Sequence, residues 1–199
     1  MGLDCGNGDM TMRPITEIIV HCTATRPDWW AGRRTSDKVR EIKRWHVQDR
    51  GWSDIGYHFL IDRDGTIAKG RDIAKDGAHV QGHNRGTIGI SLFGGHGSAE
   101  TDQFADNFTP QQDAALRNLI GDLRKQYGNV PVTGHNQYAA KACPGFNVPA
   151  WLTGKPVAPP KPPTSAPKPP AAPAQPKPQP GLLARLLAAL VGAWKGPRA

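Results

Sequence analysis

Twelve of the 26 residues from 155 to 180 are proline, and most of the others are Lys, Ala or Gln. Proline fixes φ and has no amide proton to donate, so such a run can neither continue a helix nor join a sheet interior. With almost no large apolar side chains it cannot build a core either. It reads as an extended, semi-rigid polyproline spacer, reaching on the order of 80 Å at about 3.1 Å per residue. A folded domain must therefore lie before it, and whatever follows is an appendage. The chain divides into an N-terminal extension (1–13), one domain of ordinary size (14–154), the linker (155–180) and a short terminal segment (181–196).

Charge follows the same division. From Lys155 onward there are seven Lys or Arg and no acidic residue, whereas residues 1–154 hold 18 basic and 17 acidic side chains. The net +8 thus belongs almost wholly to the appendage. A near-neutral domain argues against nucleic acid as a partner, and the basic tail points to anionic membrane or cell-envelope surfaces. In residues 181–196, Leu182, Leu183, Leu186, Leu187, Leu190, Val191 and Trp194 fill one half of a helical wheel, with Arg185 and Lys195 on the other. A helix of this length measures only about 20 Å, so it is expected to lie in a membrane interface, although the same face suits self-association. Cys5, Cys22 and Cys143 are too few and too unevenly spaced for a disulfide framework. Residues 1–12 contain no apolar run of the signal-peptide kind.

Within the domain, Ile18-Ile19-Val20 reads as a buried strand ending at His21 and Cys22. Adjacent strand residues face opposite sides, so only one of those two can look into a shared site, and Cys22 is expected to be a small buried hydrophobe. Ser36 is a plausible N-cap for a helix carrying Val39, Ile42 and Trp45 or His46 up to about Arg50, closed by Gly51. Residues 57–61 and 66–68, joined through Asp64-Gly65, read as a hairpin. Residues 88–93 form another strand. Thr109-Pro110-Gln111-Gln112 has the form of a capping box opening a helix whose apolar face runs from Leu116 to Tyr127. Residues 130–133 form a last strand that delivers His135 to its end. Alternating strands and helices predict an α/β domain with a mixed sheet covered by helices.

The segment from Gly134 to Phe146 concentrates the chemistry. His135 and Cys143 are donors suited to zinc, and Lys141 supplies a fixed positive charge. If residues 141–143 are extended, Lys141 and Cys143 share a face. A catalytic zinc site takes three protein ligands and leaves the fourth position to water, and His21, at another strand end, is the best third ligand. His79 and His83 are four apart, but Gly77 and Gly82 argue for a loop there. His46 and His96 carry no signal of a role.

The motifs Val20-His21-Cys22-Thr23-Ala24-Thr25, Gly51-Trp52-Ser53-Asp54-Ile55-Gly56-Tyr57-His58-Phe59, Asp64-Gly65-Thr66, Ile88-Gly89-Ile90 and Lys141-Ala142-Cys143-Pro144-Gly145-Phe146 occur in that order. Over residues 14–152 the chain resembles the zinc-dependent N-acetylmuramoyl-L-alanine amidases of the peptidoglycan-recognition type, and most closely the small phage enzymes among them. The resemblance implies zinc held by His21, His135 and Cys143, with Tyr57 and Lys141 as catalytic partners and His58 packed or facing solvent. His79 and, more weakly, Asn84 fall where family members line the substrate groove. The implied substrate is bacterial peptidoglycan and the implied protein an endolysin, acting as a monomer. It would be made in the host cytoplasm without a signal peptide and reach the periplasm once the membrane is permeabilised. The alternative is a module that recognises peptidoglycan without cutting it, although such members typically lack the cysteine ligand.

Overall fold

The computed structural model describes residues 13–154. The expected linker and terminal amphipathic helix, and all but the last residue of the expected N-terminal extension, lie outside those residues. Five strands form one mixed sheet: β1 (Glu17–Cys22), β2 (Phe59–Ile61), β3 (Ile67–Lys69), β4 (Thr87–Leu92) and β5 (Val132–Gly134), in the order β3-β2-β4-β1-β5. Only the β2–β3 hairpin is antiparallel; β2–β4, β4–β1 and β1–β5 all run parallel. The parallel part is buried on both sides, which is why β1 and β4 read as nearly unbroken apolar runs.

Alternation assigns the two faces. Ile18, Val20 and Cys22 of β1 join Ile88, Ile90 and Leu92 of β4 in a core completed by Leu116, Ile120 and Leu123 of α3 (Pro110–Tyr127). On the opposite face Leu60 of β2 packs with Ile42 of α1 (Thr35–Arg44), Ile55 and Phe93. Two shorter helices, α2 (Phe104–Asn107) and α4 (Val148–Thr153), complete the fold. The Thr109 capping box is present, with the Gln112 amide donating to Thr109 Oγ1 and the Gln112 side chain reaching back to the Thr109 amide.

Several local expectations are corrected. The α1 helix begins at Thr35, not after Ser36, and has no side-chain cap. Asp62 organises this end of the helix, accepting from Thr35 Oγ1 and Lys38 Nζ at 2.8 Å each. Past Arg44 the helix widens into a π-helical turn, Trp45–Asp49, and stops before Gly51, whose φ is +70°. Tyr57 and His58 precede β2 and are not part of it. The last strand starts at Val132 because Val130 and Pro131 are spent in the turn out of α3, where the Val130 amide donates to Gly128 O.

Candidate metal centre

His21 is the next-to-last residue of β1, and His135 follows the last residue of β5. The register pairs Val20 with Gly134, so the two histidines emerge side by side at the carboxyl ends of neighbouring parallel strands, with ring centroids 4.7 Å apart. Loops beyond that edge are where open parallel sheets place ligand sites. The Cys143 thiol completes the group. One donor atom from each of His21, His135 and Cys143 lies within 4.8 Å of the others, and His21 Nδ1 to Cys143 Sγ is 3.9 Å. In a tetrahedral zinc site with the usual bond lengths, nitrogen and sulfur ligands stand about 3.5 Å apart. Two imidazoles and a thiol at this spacing therefore fit a zinc ion with one position left open.

Alternation separates His21 from Cys22. His21 is 1 % exposed on the site face, while the Cys22 side chain belongs to the core on the other. The Cys22 backbone still takes part, since its amide donates to Cys143 Sγ at 3.3 Å. The Cys22 thiol beside Cys143, together with burial, pushes the Cys143 pKa up.

The condition of an extended backbone at residues 141–143 is not met. The segment is a series of turns in which the Lys141 amide donates to Ala139 O at 2.7 Å and the Gly145 amide to Ala142 O at 2.5 Å. The Cys143 carbonyl accepts from the Asn136 amide at 2.7 Å, which ties the cysteine loop to the histidine loop. Proximity of Lys141 to the site comes from this compact loop and not from strand alternation. Its exposed ammonium still acts on the group: burial lowers the pKa of His135 and the Lys141 charge lowers it further. For His21 burial comes first, then the imidazoles of His79 and His135, then Lys141.

Tyr57 lies in front of His21 with ring centroids 5.2 Å apart, and burial drives its pKa well up, so the phenol keeps its proton. His58 is packed, accepting the Gly89 amide on Nδ1 and contacting Lys75 O through Nε2, both at 3.0 Å. His79 is placed differently from expectation. It is 7 % exposed and lies behind His21, with Nδ1 3.1 Å from His21 Nε2. Asn84 Oδ1 is taken by the amides of His79 and Val80 at 2.8 and 2.9 Å, so this side chain shapes the loop that carries His79. His83 is exposed against the Tyr138 ring, and His96 is exposed.

Sequence reasoning passed over His46. It is buried, accepts the Gly56 amide on Nδ1 at 3.0 Å and packs between Trp52 and Tyr57. With Thr23, Trp45, Arg50 and Tyr57 it lines a concavity of about 330 Å³ beside the candidate centre. The available signal was Trp45-His46 standing four residues short of the Gly51-Trp52 motif, at the end of the predicted helix.

Known proteins resemble the same part of the chain. The N-acetylmuramoyl-L-alanine amidase family model matches residues 11–146. The chain belongs to this family. It is 42 % identical to the endolysin of Escherichia phage T7 over 134 residues, covering 67 % of this chain and 83 % of that protein. Identity to the endolysin of Enterobacteria phage T3 is 43 % over 140 residues, 70 % of this chain and 87 % of that one. Among solved structures, the amidase LysC from Clostridium intestinale superposes with a TM-score of 0.55 at 32 % identity, over 70 % of this chain and 81 % of that one. The peptidoglycan-recognition proteins LCa and LCx bound to tracheal cytotoxin superpose with a TM-score of 0.55 at 30 % identity, over 67 % of this chain and 77 % of that one.

Proposed function

We propose that this amidase-family domain is a zinc-dependent endolysin that hydrolyses the amide between the lactyl group of N-acetylmuramic acid and L-alanine in peptidoglycan. The observation that carries the reading is the meeting of His21, His135 and Cys143 at one sheet edge, with Tyr57 in front of them and the Lys141 charge beside them. His21, His135 and Cys143 would hold the ion, and a zinc so held supplies an acidified water and polarises the scissile carbonyl. Lys141 meets the negative charge that develops on the carbonyl oxygen as the carbon becomes tetrahedral. Tyr57, kept protonated by burial, serves as a hydrogen-bond donor to that oxygen or to the attacking water. The concavity lined by His46, Trp45 and Arg50 gives the substrate a wall next to Tyr57.

Digestion of purified Gram-negative peptidoglycan, followed by mass spectrometry of new L-alanine amino termini, tests the reading. Release that stops with a chelator and returns with zinc is the expected result. No release from folded, zinc-loaded protein would leave the recognition module. The linker and basic, leucine-rich segment 181–196 add a second element: attraction to anionic lipid or lipopolysaccharide, bringing the domain to its substrate on the periplasmic side. Removing residues 181–199 should spare hydrolysis of purified peptidoglycan and reduce killing of intact Gram-negative cells; equal killing by both forms would end that idea.

A further inference from the structure

Behind His21, on the side away from Cys143, lies a chain of buried polar groups. His21 Nε2 is 3.1 Å from His79 Nδ1, and His79 Nε2 is 3.3 Å from Thr87 Oγ1. Thr87 Oγ1 in turn lies 2.8 Å from the carbonyl of His83 and 3.0 Å from that of Asn84. All three side chains are enclosed, at 1 %, 7 % and 4 % exposure, and no carboxylate hydrogen-bonds either ring among the described residues. Burial without a counter-ion favours neutral imidazoles, each with one N–H and one bare nitrogen.

Those contacts determine where the protons sit. A carbonyl can only accept, so the single Thr87 hydroxyl proton goes to one of the two carbonyls. Thr87 Oγ1 then offers a lone pair to His79, whose proton must lie on Nε2. His79 Nδ1 is therefore bare, and at 3.1 Å it requires a proton on His21 Nε2. That leaves His21 Nδ1, the nitrogen facing Cys143, with its lone pair free.

We propose that His79 and Thr87 form a hydrogen-bond relay that fixes His21 in the tautomer presenting Nδ1 to a metal ion. The relay takes its purpose from the zinc reading above, but its proton placement stands apart from it. Space has been cleared for it. A β-carbon at Gly89, in the middle of β4, would come within 2.5 Å of the His79 ring, and one at Gly77 would also strike that ring. Gly89 thus gives up a side chain in a buried central strand, where glycine otherwise weakens packing, so that an imidazole can lie against the sheet. Asn84 holds the backbone at His79 and Val80, which sets the ring's position. Histidine ligands generally direct their second nitrogen to an oriented partner, and loss of that partner lowers metal affinity. His79 and Thr87 are positioning residues in this scheme and touch neither metal nor substrate.

The test uses the full chain and two readouts: imidazole nitrogen chemical shifts in the zinc-free protein, and zinc affinity by competition with a chromophoric chelator. The wild type should show His21 protonated on Nε2. Thr87→Val, nearly identical in shape, should give mixed His21 tautomers and about tenfold weaker zinc binding, with Thr87→Ser restoring both. Should Thr87→Val fail to fold, His79→Asn, whose amide can turn either its acceptor oxygen or its donor nitrogen toward His21 once the link to Thr87 is gone, replaces it and should show the same tautomer mixing. A proton on His21 Nδ1 in the wild type, or a folded Thr87→Val with unchanged tautomer and affinity, overturns the relay. A wild type that binds no zinc yet carries the proton on His21 Nε2, lost in Thr87→Val, supports the relay and removes only the zinc reading.

Discussion

The two faces of the sheet are made from the same strands, one residue to each side in turn, yet they differ in kind. Toward α3, β1 and β4 present Ile18, Val20, Cys22, Ile88, Ile90 and Leu92, all buried and apolar. Toward α1 the same strands present Ile19, His21, Gly89 and Ser91, and the buried Ser91 hydroxyl lies beside the Tyr57 phenol. One face spends every position on packing, and the other gives up a methyl-rich position at each of three residues. Replacing buried aliphatic side chains by Gly, Ser or His forfeits apolar burial worth about 1.5–3 kcal/mol per position. The α3 face therefore supplies the stability that lets the other face carry polar groups.

Five perturbations would sharpen or break this contrast. On the site face, Cys143→Ser should lose zinc and hydrolysis together, while Lys141→Ala keeps zinc and loses roughly 10²–10³ in turnover; metal analysis showing both variants fully loaded would break the assignment. On the α3 face, Leu116→Ala should cost about 2–5 kcal/mol in denaturant unfolding and leave turnover of the folded fraction unchanged. Acid should act through the site face. Burial lowers the His46 pKa from 6.5 to about 4. The unfolded chain therefore takes up that proton first, and the His46 contribution is complete above about pH 6.5 and lost as pH falls toward 4, at most about 3 kcal/mol. Unfolding curves between pH 7 and 4 measure the slope, which a variant lacking this imidazole should flatten. The smallest effect lies on α3 itself: a β-carbon at Gly121 meets nothing within 4 Å, so Gly121→Ala should stabilise by about 0.5–1 kcal/mol.

What the sequence made legible follows from which forces are local. Strand alternation separated His21 from Cys22, and the Thr109 box marked the start of α3, because both depend on a few neighbouring residues. The strand preceding His135 was readable for the same reason. The inward turn of His79 was not, because it depends on space left by Gly77 and Gly89, the latter ten residues away in another element. The i, i+2 spacing of Lys141 and Cys143 would put them on one face only in an extended backbone, whereas Asn136 and Gly145 fold residues 141–143 into turns through bonds that spacing does not encode. His46 escaped notice because its role depends on contacts with Gly56, Trp52 and Tyr57, which follow the π-helical turn and are not encoded in helical spacing.

The sheet order carries a further consequence, in time rather than space. β1 is made first, but its two hydrogen-bonded neighbours are β4 and β5, and His21 meets Cys143 across a separation of 122 residues. At bacterial elongation rates of about 5–20 residues per second, the ribosome needs on the order of ten seconds to supply that span. Through that interval the nascent chain has one histidine of the group and no centre. The group proposed to hold the metal can therefore be completed only after nearly the whole domain has been made.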